Sequence, residues 1–119
     1  MATVLLIEDE DVVRQVIAEV LEAAGYTVMA LSDAEPALNA VNYDSIDLII
    51  TDLAMPTRGE EAILTLRSSG VTVPIIVLSG ILKDGDDLSL KSIGADRVLA
   101  KPLDIKLLLN TIHELQSIG

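Results

Sequence analysis

Residues 48–56 have the sequence LIITDLAMP, in which three bulky apolar residues are followed by a threonine and an acid, Asp52. A short apolar run of this kind predicts a buried β-strand. A carboxylate at the end of a buried strand loses hydration free energy unless another group pairs with it. Asp52 is therefore either an ordinary turn residue or one part of a site that other elements of the chain complete.

The rest of the chain alternates between short apolar runs and longer stretches with helical spacing. Strands are predicted at 3–7, 26–31, 46–51, 73–79 and 97–100, and helices at 12–24, 33–42, 59–70, 83–94 and 104–117. Strict alternation, with strands that are apolar throughout, is typical of a parallel sheet covered by helices on both faces. Because no linker or low-complexity tract interrupts the pattern, we expect one α/β domain over residues 1–119.

The composition excludes several classes of protein. With 8 basic and 19 acidic residues, the net charge of −11 opposes binding to nucleic acid or to an anionic membrane. The chain contains no cysteine and no apolar run near the ~20 residues of a membrane span. We expect a cytoplasmic protein. The excess of acids has two explanations, a solubilising surface or a cluster of carboxylates that binds a cation.

Polar residues follow four of the five predicted strands. Glu8, Asp9, Glu10 and Asp11 follow the first strand, Asp52 ends the third, Ser79 and Gly80 follow the fourth, and Lys101 follows the fifth. Taken singly, each has an ordinary role as a helix cap, a turn residue or a surface residue. Ligands of open α/β sheets bind at the carboxyl ends of the strands, so the whole set predicts a site at that edge.

The residue types in this set indicate phosphoryl chemistry. Clustered carboxylates repel one another, and a hard dication such as Mg²⁺ relieves the repulsion. The ammonium group of Lys101 suits a phosphate, and a hydroxyl and a glycine amide can donate hydrogen bonds to phosphoryl oxygens. The set therefore predicts that Asp52 attacks phosphorus while cations stabilise the transferred group.

These motifs resemble those of response-regulator receiver domains, the CheY-like family. The resemblance extends over the chain and depends on Glu8-Asp9, Asp52 with Met55-Pro56, Ser79-Gly80 and Lys101-Pro102, together with GAD at 94–96. It implies a doubly wound, flavodoxin-like (βα)5 fold with a five-stranded parallel sheet in the order 2-1-3-4-5. It also implies a signalling protein rather than a conventional enzyme, phosphorylated by a sensor histidine kinase or a phosphotransfer protein.

The resemblance assigns a magnesium site to the acids and a phosphoryl site to the neighbouring residues. Asp52 resembles the phosphoacceptor and Asp9 a direct Mg²⁺ ligand, whereas Glu8 would act through water. The main-chain carbonyl of Ala54 resembles the third protein ligand of the metal, beside Asp9 and Asp52.

The phosphoryl group would be held by four further contacts. Ser79 resembles the switch hydroxyl, the amides of Ala54 and Gly80 resemble backbone donors to the phosphoryl oxygens, and Lys101 resembles the phosphate-pairing lysine. The Lys101–Pro102 bond is cis in the family, which the small cis penalty of proline permits.

Two residues that depart from the family pattern bear on alternative functions: Val98 leaves one open, and Ala54 argues against another. Val98 stands where the family has its switch aromatic. The alternative of a degenerate receiver, which acts as a phosphorylation-independent interaction module or a phosphate sink, therefore stays open. An aspartyl-phosphate phosphatase of the haloacid-dehalogenase type needs a second Asp as general acid and base two residues after the first. This chain has Ala54 at that position, which argues against a phosphatase. We expect no effector domain in this protein, and therefore output through contact with an unidentified target protein.

Overall fold

The computed structural model of the protein describes residues 2–33, 45–52, 59–80 and 90–118. It has five strands, β1 (Thr3–Ile7), β2 (Thr27–Leu31), β3 (Leu48–Asp52), β4 (Ile75–Ser79) and β5 (Arg97–Ala100). Its helices within those residues are α1 (Asp11–Ala23), α2 (Gly59–Ser68) and α3 (Ile105–Ile118), and residues 90–92 are also helical. The predicted helix at 33–42, most of the one at 83–94, and Ala54 lie outside the described residues.

The strands form one parallel sheet in the order β2-β1-β3-β4-β5, which confirms the predicted fold class and strand order. The order reverses direction at β1, because β2 lies on one side of it and β3 on the other. In a sheet of this kind the crevice for ligands lies at that reversal, at the carboxyl ends of the strands. The fold thus predicts where a site should be before any side chain is considered.

Helices cover both faces of the sheet, so the sheet separates two apolar cores. One core joins alternate residues of β1, β3 and β4 to α1 and α3, and includes Ile17, Leu21, Leu108 and Ile112. The other joins the remaining strand residues to α2 and the turn at 90–95, through Ile63, Leu66 and Leu90. β3 and β4 are buried along their whole length, which explains why their sequences are apolar without alternation.

Arg67, in the last turn of α2, joins several segments at the edge of the sheet opposite to Asp52. Its guanidinium donates to the carbonyls of Val71, Val73 and Gly94 at 2.8–3.1 Å and to Asp96 Oδ2 at 2.9 Å. Gly94 has φ of +125°, and a Cβ there would lie 2.6 Å from Cγ of Arg67. The close approach of the two residues therefore requires glycine at position 94.

We expect Arg67→Met to lower the free energy of unfolding by about 3 kcal/mol, because several part-buried acceptors lose a charged donor. For a chain of this size that corresponds to a melting temperature lower by roughly 10 °C. Thermal unfolding followed by circular dichroism measures the change. Arg67→Lys keeps the charge but not the planar set of donors, and we expect an intermediate loss. A melting temperature within about 2 °C of the parent for Arg67→Met would contradict this account.

Candidate functional site

The carboxyl ends of β1, β3, β4 and β5 meet at one edge of the sheet. Ile7 is in register with Thr51, Asp52 with Leu78, and Ser79 with Ala100. The residue at or directly after each strand end is therefore brought to the same edge. This arrangement assembles Glu8, Asp52, Ser79 and Lys101, the polar residues that the sequence pattern predicted to lie together.

Lys101 is hydrogen-bonded to both buried carboxylates. Its Nζ lies 2.6 Å from Asp52 Oδ2 and 2.7 Å from Glu8 Oε1. The side chains of Glu8 and Asp52 are 0% and 2% exposed, and that of Lys101 is 18% exposed. Two carboxylates and one ammonium group thus share a site that is almost closed to water.

The pKa values of the site reflect burial and close hydrogen bonding. Burial, reinforced by hydrogen bonding with Asp52, raises the pKa of Glu8 to about 7, although the hydrogen bond from Lys101 acts in the opposite direction. Burial lowers the pKa of Lys101, but its hydrogen bonds to Asp52 and Glu8 outweigh that effect and the net pKa is raised. The pairing therefore favours the charged form of Lys101, whereas burial favours the protonated form of Glu8. A further cation at this edge would allow both acids to ionise.

Three carboxylates at this edge could bind such a cation. Oxygen atoms of Glu8, Glu10 and Asp52 lie within 4.8 Å of one another. Within the described parts of the chain the group contains neither histidine nor cysteine, and such an all-oxygen donor set fits Mg²⁺ rather than Zn²⁺. A magnesium ion is thus chemically compatible with the residues present.

Asp9 does not belong to this group of carboxylates, although the family resemblance makes it the direct metal ligand. Its side chain is exposed, and Glu10 contributes the third carboxylate, with Oε1 3.8 Å from Lys101 Nζ. The role of Asp9 stays a prediction. The sequence places Glu10 among four consecutive acids after the first strand but gives it no separate role, since such a run does not indicate which side chains turn toward Asp52.

Ser79 and Gly80 lie at the same edge, as predicted. Ser79 is buried as the last residue of β4, and its carbonyl accepts a hydrogen bond of 2.8 Å from the amide of Lys101. Gly80 is exposed directly after it. The Lys101–Pro102 peptide bond is cis, which confirms that prediction. The assigned roles of the Ser79 hydroxyl and the Gly80 amide stay predictions, as does the role of Ala54.

An apolar groove lies directly beside the site. Its volume is about 300 Å³, and it runs between α1 and the segment that follows Lys101. Val12 and Val16, one helical turn apart on α1, are 75% and 46% exposed at the groove. Helical spacing predicts one apolar face that includes Val12, Val16, Ile17 and Leu21, of which the structure buries Ile17 and Leu21 and leaves the two valines exposed. Among the described residues, the lining comprises Val12, Val13, Val16, Ile17, Leu78, Lys101, Pro102, Leu103 and Ile105.

Comparison with known proteins identifies the family of domains to which these features correspond. The family model described as the response regulator receiver domain matches residues 4–113. The alkaline phosphatase synthesis transcriptional regulatory protein SphR of Synechococcus elongatus is 38% identical over 109 residues, which are 83% of this chain and 42% of that protein. The cell cycle response regulator CtrA of Brucella ovis is 33% identical over 111 residues, 92% of this chain and 48% of that protein.

Solved structures agree with this result. The chemotaxis protein CheY4 of Vibrio cholerae superposes with a TM-score of 0.88 at 30% identity, over 97% of this chain and 98% of that one.

The present chain spans less than half the length of the two curated relatives described above. Among the described residues, we find no helix with the length and hydropathy needed to cross a membrane.

Proposed function

The chain belongs to the response regulator receiver domain family of two-component signalling, and on that premise we propose that Asp52 accepts a phosphoryl group from a phosphohistidine. The donor would be a sensor histidine kinase or a phosphotransfer protein. The observation that carries the proposal is the buried carboxylate of Asp52 at the end of β3, 2.6 Å from the ammonium group of Lys101. We further propose that residues 1–119 form a single receiver domain.

The proposed reaction forms an acyl phosphate on Asp52. One carboxylate oxygen attacks phosphorus, the P–N bond of the phosphohistidine breaks, and the imidazole leaves and takes up a proton from water. Lys101, already within hydrogen-bonding distance of this carboxylate, would pair with a phosphoryl oxygen as negative charge accumulates there. Ser79 and the amides of Gly80 and Ala54 would donate further hydrogen bonds to the phosphoryl oxygens.

Mg²⁺ would be held by Asp52 together with acids of the segment after β1. Glu8 and Glu10 belong to that set by geometry, and Asp9 and the Ala54 carbonyl by family resemblance. When bound, the ion supplies electrostatic stabilisation to the oxygens of the transferred group. The residues of the chain do the rest, because they orient the carboxylate and exclude water from it.

We propose that the groove beside the site receives the phosphohistidine partner. A side chain bearing a phosphohistidine must reach Asp52 from the surface, and the groove lies next to Lys101 and is lined almost entirely by apolar side chains. Burial of exposed Val12 and Val16 against a partner would contribute to affinity, in the manner of an interface core. A small phosphodonor would not need this contact.

Labelling by acetyl phosphate tests the proposed function. We expect one phosphoryl group per chain, incorporated only with Mg²⁺ present and released by hydroxylamine, which cleaves acyl phosphates. Incorporation that proceeds equally in EDTA, or a label that resists hydroxylamine, would overturn the proposal of Mg²⁺-dependent acyl phosphate formation.

We expect millimolar Mg²⁺ to raise the melting temperature of the protein, because a ligand that binds only the native state stabilises it. At ten times the dissociation constant the gain is about 1.4 kcal/mol, or roughly 5 °C. Thermal melts of Asp9→Ala and Glu10→Ala identify the acid responsible. Family resemblance predicts that Asp9→Ala erases the rise. If only Glu10→Ala loses the rise in melting temperature, the result would contradict the role that family resemblance gives to Asp9. It would favour instead the cluster of Glu8, Glu10 and Asp52.

We expect activation to stay local because Val98 has no ring that could move between buried and exposed positions. Val98 is half-buried against the core on the α2 side of the sheet. Val98→Ala should leave acetyl phosphate labelling within about 2-fold of the parent, since this side chain is absent from the cluster formed by Lys101, Glu8 and Asp52. In NMR spectra, beryllofluoride should shift the amides of Asp52 and Ser79 strongly and those of α3 weakly. A large rearrangement of α3 would contradict this prediction.

A further inference from the structure

Arg14 lies at the start of α1 and reaches back over the segment that connects β1 to this helix. Side chains of a helix tilt toward its N-terminus, which directs the guanidinium toward residues 8–11. Nη1 donates to the main-chain carbonyl of Glu8 at 2.9 Å, and Nη2 donates to Asp11 Oδ1 at 2.5 Å. The side chain is 22% exposed, so most of it is packed against the protein.

The dipole of α1 does not explain why an arginine lies near the N-terminus of this helix. The N-terminus of a helix carries partial positive charge and disfavours a cation. The N-cap residue, Glu10, makes no side-chain capping hydrogen bond. The contacts with Glu8 and Asp11 must therefore offset an unfavourable location. A planar guanidinium directs separate nitrogens at two acceptors in a fixed geometry, whereas a lysine has a single ammonium nitrogen.

The hydrogen bond from Arg14 to the Glu8 carbonyl joins three others that restrain the main chain and side chain of Glu8. The amide of Glu8 donates to the carbonyl of Leu31 at 2.9 Å, and so extends the pairing of β1 with β2 by one residue. Glu8 Oε1 accepts from Lys101, and Oε2 accepts from the amide of Glu10 at 3.3 Å. With Arg14 on its carbonyl, the main chain of Glu8 is held on both sides while its carboxylate faces Asp52.

We propose that Arg14 is a positioning residue, which fixes the segment 8–10 so that its carboxylates converge on Asp52 before a cation binds. The inference rests on the proposed function, because the cation is the Mg²⁺ of the phosphoryl site. A preorganised set of ligands binds more tightly than one that must be ordered on binding. Groups that orient metal ligands typically change affinity by about 10- to 100-fold when they are removed.

Two variants separate positioning from simple electrostatics, because the two effects have opposite signs. The positive charge of Arg14 repels a dication, so on charge alone Arg14→Gln would bind Mg²⁺ more tightly and Arg14→Lys would resemble the parent. If Arg14 positions the ligands, both variants lose the paired hydrogen bonds. We then expect both to bind Mg²⁺ about 10-fold more weakly in calorimetric titrations of the purified protein.

Arg97→Gln is the matched control. Arg97 also donates a guanidinium hydrogen bond to a main-chain carbonyl, that of Asp96 at 2.9 Å, but it lies at the opposite end of the sheet. Its replacement removes the same charge and the same kind of bond. We expect its Mg²⁺ dissociation constant to stay within about 2-fold of the parent.

Amide hydrogen exchange in the metal-free protein gives a readout that does not depend on Mg²⁺. Relative to core amides of β4, the amides of Asp9 and Glu10 should exchange about 10-fold faster in both Arg14 variants and at the parent rate in Arg97→Gln. If Arg14→Gln does not fold, the Mg²⁺ titration and the amide exchange measurement are both made on Arg14→Lys.

Unchanged exchange at Asp9 and Glu10 would overturn the inference. Faster exchange with an unchanged Mg²⁺ dissociation constant would overturn it as well, as would tighter Mg²⁺ binding by Arg14→Gln. A parent protein that binds no Mg²⁺ would instead contradict the proposed function, and the exchange rates would still decide whether Arg14 holds the segment.

Discussion

Asp52→Asn is expected to lower labelling by acetyl phosphate by at least about 100-fold, which corresponds to about 2.7 kcal/mol in the activation barrier. The carboxamide has nearly the shape of the carboxylate but is not a nucleophile. Lys101 keeps Glu8 as a partner at 2.7 Å, so its charge is not left unpaired in the variant. The expected loss is therefore a loss of chemistry in a folded protein, and circular dichroism establishes that the fold is retained.

Asp104→Asn is the control for this substitution. Asp104 is exposed just beyond Lys101, and its Oδ1 accepts a hydrogen bond from the amide of Leu107 at the start of α3. Asparagine caps a helix about as well as aspartate, so the variant changes the charge by the same amount without disturbing the fold. We expect it to label at the parent rate. Equal labelling of Asp52→Asn and the parent would contradict the assignment of the phosphoacceptor.

Val12→Glu is expected to lower phosphoryl transfer from a phosphohistidine by about 30-fold, or about 2 kcal/mol, and to leave acetyl phosphate labelling within about 2-fold. Val12 is exposed in the first turn of α1, where a glutamate is compatible with the helix. The substitution puts a charge into the apolar groove that we propose as the docking surface. Transfer is measured with whichever autophosphorylated sensor kinase labels the parent protein.

Leu64→Glu is the matched control for the groove. Leu64 is 49% exposed on α2, and α2 covers the opposite face of the sheet from α1. We expect both phosphodonors to label this variant at the parent rate. An equal fall with both donors in Val12→Glu would indicate damage to the site itself. No fall with the kinase would show that the partner does not use this groove.

Local sequence patterns determine most of the fold. The strands predicted at 3–7 and 97–100 have those bounds in the structure, and the other three differ by one or two residues at their ends. These segments could be predicted because strands buried on both faces are apolar throughout. The strand order followed from family resemblance, because the periodicity of a strand contains no information about its neighbours in the sheet.

The site was less predictable, because its details depend on where side chains point in connecting segments. The sequence identified Glu8, Asp52 and Lys101 as partners, since each lies at or next to the end of a strand. It could not choose between Asp9 and Glu10, because the direction of each side chain is set by the turn between β1 and α1. The sequence gives one weak indication of a role for Arg14, which is that it is a single basic residue shortly after four consecutive acids.

The contacts of Arg67 illustrate a second limit of sequence reasoning. A basic residue in the last turn of a helix is adequately explained by the helix dipole. Its hydrogen bonds to Gly94 and Asp96, 27 and 29 residues further along the chain, exist only once α2 and β5 pack at the same end of the sheet. Long-range polar contacts of this kind follow from the fold and leave no local pattern.

The most direct test of the central claim is to locate the phosphoryl group chemically. Borohydride reduces an aspartyl phosphate to homoserine, and peptide mass spectrometry then identifies the modified position. After treatment with acetyl phosphate and Mg²⁺, the account predicts homoserine at residue 52 and at no other acid. Homoserine at Asp9, 2-amino-5-hydroxyvaleric acid (the reduction product of a glutamyl phosphate) at Glu10, or a phosphoryl group on His113, the single histidine of the chain, with residue 52 unchanged, would contradict it.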